Sequence, residues 1–371
     1  MKIVFVLTVH KPDDDRVWYL QANTLREAGH EVYIVSARMK RSDSQNVYCF
    51  DNETDFTTRK LMIAKFEEFL EQIHPDAIIC DNPVSVLAAR NYKKKSKRKS
   101  VKIYYDITEF YPSKIHLHHT NFIKNLLKYC LLYCISIYIG FWVDGFIFGE
   151  YYKAKRYKRI FFWKKSVYLT YYASLEHVKN FPTNNIQQKC SFFYAGNLTE
   201  KSGFLNVVNA VVACAQHFAD INFMLYVISK DTDFQTPNLK QENLKIEINA
   251  FMSFPEFCQT FGKCDIFFDL RPTDIENTRC LPIKLFYYMA AGRPVVYSNL
   301  KAIRKGVPEI NEFGFLVNPQ NIDEIVGVIS QYIESKELYQ KHCAAARELA
   351  ETKYNWENIK NQFIEFIEKQ A

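Results

Sequence analysis

Residues 281–296 read Leu281-Pro282-Ile283-Lys284-Leu285-Phe286-Tyr287-Tyr288-Met289-Ala290-Ala291-Gly292-Arg293-Pro294-Val295-Val296. Pro282 suits a first helical turn, where its missing N–H costs nothing, and Gly292 suits the residue just past a helix end. Pro294 then opens a short apolar run. The stretch predicts a helix over Leu281–Ala291 feeding a buried strand over Pro294–Tyr297, with Lys284 in the first turn. A helix delivering the chain straight into a continuous apolar strand is the unit of a parallel α/β sheet.

The same alternation extends in both directions. Upstream in the second half it predicts strands at Ser191–Ala195, Phe223–Ile228, Lys245–Asn249 and Ile266–Phe268, with helices at Phe204–His217 and Pro255–Gly262; downstream it predicts a strand at Phe315–Val317 and helices through 321–369. The first half predicts strands at Ile3–Val9, Glu31–Val35, Asp76–Cys80, Lys102–Tyr105, Gly145–Phe148 and Ser166–Thr170, and a helix from Asp15 to Ala28 closed by Gly29. Between the halves, residues 180–190 (Asn-Phe-Pro-Thr-Asn-Asn-Ile-Gln-Gln-Lys-Cys) are polar, contain Pro182 and read as a linker. The chain's 371 residues match two domains at roughly 150 each. The division is an N-terminal domain 1–182, a C-terminal domain 183–353 and a last helix 354–371 that could return to the first domain. In two successive open α/β sheets, ligands sit beyond the carboxyl ends of the strands, so an interdomain cleft is the expected site.

Composition excludes other classes. Hydrophobic residues at 48% and charged residues at 24% are globular values, and 11 glycines are too few for a fold of repeated glycine turns. The ten cysteines form no C-x-x-C pair and no zinc spacing, so they read as buried reduced thiols. The N-terminus turns charged after eight apolar or small residues without a cleavage site; it reads as a first strand, which places the protein in the cytoplasm. The longest uncharged apolar run, Tyr129–Val143, is too short to span a bilayer.

Four segments carry candidate chemistry. His10-Lys11-Pro12-Asp13-Asp14-Asp15-Arg16 places an imidazole, three carboxylates and a guanidinium in the loop after the first strand, a binding position; the alternative is that one aspartate caps the helix and the rest are solvated. Tyr105-Asp106-Ile107-Thr108-Glu109 places Asp106 and Glu109 at the same carboxyl edge, suited to orienting a sugar hydroxyl or to turn roles. Tyr194-Ala195-Gly196-Asn197-Leu198-Thr199-Glu200-Lys201-Ser202-Gly203 is a strand, a glycine loop and a helix start with a lysine, suited to phosphate; it has neither the dinucleotide-binding nor the P-loop pattern. The fourth is 281–296 itself.

Together these segments resemble family 4 glycosyltransferases, retaining nucleotide-sugar-dependent enzymes with two facing Rossmann-like domains, the GT-B fold. The segments at 10–17 with 25–32, 105–112, 194–203 and 281–296 occur in the family's order, and Gly-Phe-Leu-Val-Asn-Pro-Gln-Asn at 314–321 is similar to the end of its donor domain. The resemblance implies that Gly196, Asn197, Lys201, Pro282 and Lys284 lie around the donor's diphosphate, with Lys201 and Lys284 offsetting the leaving-group charge so that no metal cofactor is needed. It implies that His10, Arg16, Asp106 and Glu109 lie near the sugar and acceptor. The family's ribose-binding carboxylate falls on Tyr287 and its partner on Arg279, with Glu276 and Asp274 as nearby acids; the histidine of its D-x-H-E pattern is Thr108. The implied reaction moves a sugar from a nucleotide diphosphate to a lipid-linked or growing saccharide acceptor, as in capsule or O-antigen synthesis.

The net charge of +7 is uneven: residues 91–165 carry +13, leaving −6 elsewhere. Lysines and arginines at 93–99 and 151–165 mix with aromatics beside the apolar segment Phe122–Phe141. This composition suits an anionic membrane surface on the cytoplasmic side, and the apolar neighbour tips the reading that way. Nucleic acid and a buried core helix beside a solvated lysine loop are the alternatives; no RNA-binding motif is present. His116, His118 and His119 lack companion ligands and read as loop residues. With no acid at Arg279 or Tyr287, a transferase-like scaffold that no longer turns over is the alternative to an enzyme.

Overall fold

The structure is a computed structural model that describes residues 1–37, 46–50, 58–96, 100–113, 116–117, 121–232 and 241–369. It divides into two units, Met1–Tyr171 with Ile359–Ala371, and Tyr172–Asn358. Thirteen strands occur among the described residues, every pair of neighbours parallel.

In the first unit the strands are β1 (Lys2–Leu7), β2 (Glu31–Ser36), β3 (Val47–Cys49), β4 (Ala77–Cys80), β5 (Lys102–Ile107), β6 (Gly145–Phe148) and β7 (Lys165–Tyr168), in the order β3-β2-β1-β4-β5-β6-β7. In the second they are β8 (Lys189–Ala195), β9 (Asn222–Ser229), β10 (Leu244–Ala250), β11 (Ile266–Asp269), β12 (Val295–Ser298) and β13 (Gly314–Val317), in the order β10-β9-β8-β11-β12-β13. Strand runs such as Ile3-Val4-Phe5-Val6-Leu7 are buried on both faces, because helices cover both sides of each sheet. In both units the order reverses beside the first strand. Loops leaving β1 and β4, or β8 and β11, therefore diverge to opposite faces and open a crevice at their carboxyl ends.

The segment expected to be a linker is instead structural, and the boundary falls at 171/172 rather than 182/183. The buried guanidinium of Arg293 donates to the carbonyls of Phe181 at 3.1 Å, Pro182 at 2.9 Å and Cys264 at 2.8 Å. Asn184 donates to Asp265 at 2.7 Å, and Ala173 bridges Asn355. Polar composition suggested solvation, but here the polar backbone is consumed by one arginine inside the second unit.

The signature helix is shorter than expected, Lys284–Ala290, because Pro282 and Ile283 form the turn that enters it. The first helix begins as a π-helix, Asp15–Ala22, and continues as Asn23–Glu27; Asp14 caps it by accepting from the Val17 N–H at 3.2 Å. The last helix, Lys360–Glu368, packs on the first unit: the ring of Phe366 lies 5.4 Å from that of Tyr104, whose hydroxyl donates to the Ile367 carbonyl at 3.2 Å.

Replacing Arg293 with methionine leaves buried carbonyls without donors, each worth about 1–3 kcal/mol. We expect R293M to lose at least about 3 kcal/mol in urea unfolding of the full chain; a loss below about 1 kcal/mol would remove the structural role assigned to this side chain.

Candidate active site

At the β1/β4 reversal of the first unit, a small pocket of about water size is lined by His10, Asp14, Arg16, Gln21, Asp81, Asp106 and Thr108 above apolar strand residues. Each polar group is held by another. Arg16 and Asp106 form a buried bidentate pair at 2.7 and 2.8 Å, and Gln21 donates to the same carboxylate at 2.9 Å. The Arg16 guanidinium also lies 4.9 Å over the Tyr171 ring. Asp81 accepts from the backbone N–H of Thr8 at 2.9 Å and of Val9 at 3.2 Å, which fixes the start of the loop carrying His10.

His10 bridges the two sides of the pocket. Its Nδ1 lies 2.9 Å from Asp14 Oδ2 and its Nε2 3.4 Å from Thr108 Oγ1. Burial alone would lower its pKa, but the hydrogen bond and charge of Asp14, with the charge of Asp81, outweigh it and raise the value to about 9. Near neutral pH the ring is therefore an imidazolium. Thr108 is held in turn by the buried Lys153, whose ammonium donates to the Thr108 carbonyl and pairs with Glu150 at 2.6 Å. Lys153 thus turns inward, as does Arg156, which donates to the Tyr111 carbonyl at 2.7 Å. Both had been counted among the surface cations. Glu109 does not join the pocket: it is exposed on the loop beyond Thr108.

At the β8/β11 reversal of the second unit lies a cationic cluster. Lys284 turns its ammonium to the Ala195 carbonyl, and a Cβ on Gly196 would stand 3.6 Å from that nitrogen. Arg271, two residues past β11, holds Asp269 through Nε at 2.7 Å and a second contact. Burial lowers the pKa of Lys284 to about 8; the positive charge of Arg271 adds to this and that of Asp269 opposes it. Gly203 closes the glycine loop at φ 80°, and a Cβ there would meet the Leu270 carbonyl at 2.3 Å, so glycine alone lets the loop lie against the end of β11.

The other candidates sit apart from this cluster. Lys201 is exposed on the turn Glu200–Ser202, so the cation that Lys284 feels is Arg271. Asn197 is exposed and offers its carbonyl to the Tyr194 hydroxyl at 2.8 Å. Pro282 is buried. Tyr287 is buried with its ring 5.5 Å from that of Phe254, filling with an aromatic the position where a ribose carboxylate was expected. Glu276 is partly exposed, and its N–H donates to Asp274 at 2.9 Å. His118 and His119 lie outside the described residues; His116 Nδ1 accepts from the Ser113 N–H at 3.1 Å.

Asp81, Gln21 and Arg271 were not singled out in the sequence. Asp81 and Arg271 each follow a strand at a reversal point, a signal visible only once strand order is known. Gln21 carried no signal; the first helix turns it inward.

Residues 189–335 match the family model described as Glycosyl transferases group 1. No curated protein sequence matches the chain. Among solved structures, Anabaena HepE in complex with UDP and glucose is 15% identical, with a TM-score of 0.73 and 100% of both chains covered. Sucrose-phosphate synthase from Thermosynechococcus elongatus is 12% identical, with a TM-score of 0.71 over 99% of this chain and 98% of its own. A putative UDP-N-acetylglucosamine 2-epimerase from Listeria monocytogenes is 12% identical, with a TM-score of 0.61 over 98% and 95%. These likenesses establish the GT-B fold. Because an epimerase shares it, the fold alone does not define the reaction; the group 1 transferase domain in the second unit does, and the chain is a glycosyltransferase.

The raised pKa of His10 makes a signed prediction. A histidine bound more tightly as its cation stabilises the fold below about pH 6.5 and loses that contribution as pH rises through about 9. Relative to His10→Asn, the wild-type unfolding free energy should fall across this window by up to about 3 kcal/mol. Parallel curves in chemical denaturation would show that His10 is not held as the cation.

Proposed function

We propose that the enzyme transfers a sugar, with retention, from a nucleotide diphosphate to a lipid-linked or growing saccharide in cell-surface polysaccharide synthesis. The observation that carries the donor assignment is the Lys284 ammonium beside Gly196 at the carboxyl edge of the region matched as group 1, within electrostatic reach of the Arg271–Asp269 pair. Gly196 has no side chain to keep a phosphate oxygen from the backbone, and the two cations answer the charge that grows on a diphosphate as its glycosidic bond breaks. HepE, solved with UDP and with UDP-glucose, makes a uridine diphosphate the first donor to try.

In this reading the diphosphate takes over the ammonium of Lys284, now spent on the Ala195 carbonyl. The carbon–oxygen bond to the leaving phosphate breaks, the acceptor hydroxyl forms the new bond on the same face, and its proton passes to the departing phosphate oxygen. The protein's part is positioning and charge stabilisation. In the first unit, the His10 imidazolium and the Arg16–Asp106–Gln21 set offer donors and acceptors of fixed direction, suited to sugar hydroxyls. Tyr287 supplies no carboxylate for the ribose, so ribose binding falls to backbone or to the loop acids Asp274 and Glu276.

Lys284→Ala should lower kcat/KM for sugar transfer by at least about a hundredfold while leaving the unfolding midpoint near wild type. Calorimetric titration with a panel of nucleoside diphosphates should find one that binds the wild type. Its affinity should weaken about tenfold from pH 7 to pH 9 as Lys284 loses its proton, and Lys284→Arg should flatten that dependence. Near-normal turnover by Lys284→Ala would reject the assignment, and failure of every diphosphate to bind would favour a scaffold.

A further inference from the structure

The helix Phe122–Trp142 is the crossover between β5 and β6. Its inner side buries Leu132, Ser136, Ile139 and Gly140. Gly140 is pressed so closely on the ring of Phe161 that a Cβ would stand 2.3 Å from it. The opposite side is the anomaly. Phe122 is 77% exposed, Leu127 66%, Leu131 61% and Phe141 56%, and these recur at helical spacing with Ile123 and Leu126 along one stripe. The stripe continues into the next connection through Trp163, whose ring lies 6.3 Å from Phe141, and through Phe162, which is 80% exposed. Cys130 and Cys134, expected among the buried thiols, also lie exposed on this helix.

We propose that this face docks in the interfacial layer of an anionic lipid bilayer, with the helix lying along the membrane plane. The rim states the partner's charge. Arg90 and Lys94 lie over the Trp142 ring at 4.3 and 4.4 Å along one edge, and Lys164 donates to the Phe141 carbonyl at the end. The two acids within 121–165 are turned to other work: Glu150 pairs with buried Lys153, and Asp144 accepts from the Ile103 N–H and holds Lys93. An apolar stripe edged by cations and by ring-bearing side chains fits acyl chains below and anionic headgroups around. A second protein with an apolar face would leave the exposed ammonium of Lys94 unanswered.

The geometry also selects lying over spanning. The helix is 21 residues long and by length and composition could cross a bilayer, which the uncharged run alone did not suggest. Its two ends nevertheless feed adjacent parallel strands of one sheet, and its inner side is part of that sheet's cover. Crossing would strip β5 and β6 of their packing.

The inference stands independently of the donor assignment. The full chain should co-sediment with vesicles containing about one third phosphatidylglycerol in phosphatidylcholine, and not with phosphatidylcholine alone. L127E/L131E, both at exposed positions, should weaken the phosphatidylglycerol partition at least about tenfold. Its unfolding midpoint and its calorimetric binding of nucleoside diphosphates should match those of wild type. Wild type that ignores the vesicles, or a double variant that partitions equally well, would overturn the proposal. So would a concentration-dependent dimer in light scattering that the double substitution abolishes.

Discussion

The reversal of strand order beside β1 and beside β8 is the constraint on which both sites depend. Parallel strands must be joined by crossovers of one hand, so a chain that builds outward from its first strand in one direction, then in the other, leaves adjacent loops on opposite faces. No hydrogen-bonded element can fill the gap they leave. In the first unit the gap receives His10, Asp81 and Asp106; in the second it receives Gly196, Arg271 and Lys284.

The charges at these gaps are fixed rather than mobile. Arg16 with Asp106, and Arg271 with Asp269, are pairs with two contacts each, in sites where an unpaired charge would be costly to bury. Such pairs do little net work for stability, yet they hold direction, which is what a transferase site needs. Arg293 applies the same chemistry to the backbone. It ties a polar loop into the second unit by taking up the carbonyls of Phe181 and Pro182 together with that of Cys264.

The basic region of the chain splits by function. Lys153 and Arg156 turn inward and hold the loop carrying Thr108 and Tyr111, whereas Lys155, Lys158, Arg159 and Lys165 are exposed. One compositional feature thus serves both the pocket and the surface, and a count of charges could not divide it. Residues 97–99 of its first run lie outside the described structure.

The sequence by itself determined the class of fold, because apolar runs buried on two faces and helices ended by Gly29 and Gly292 are local signals that survive without knowledge of neighbours. It also put His10, Asp106 and Gly196 at or just past strand ends, and Arg16 and Lys284 at helix starts. Tertiary structure alone decided which of them meet. Asp81 and Arg271 join because their strands are neighbours in space across a reversal, while Glu109 and Lys201 fall away to solvent within a few residues of the sites. Side-chain direction at the end of a parallel strand is set by the strand beside it, and that neighbour can be far away in the chain: β1 pairs with β4 across about seventy residues, and β8 with β11 likewise.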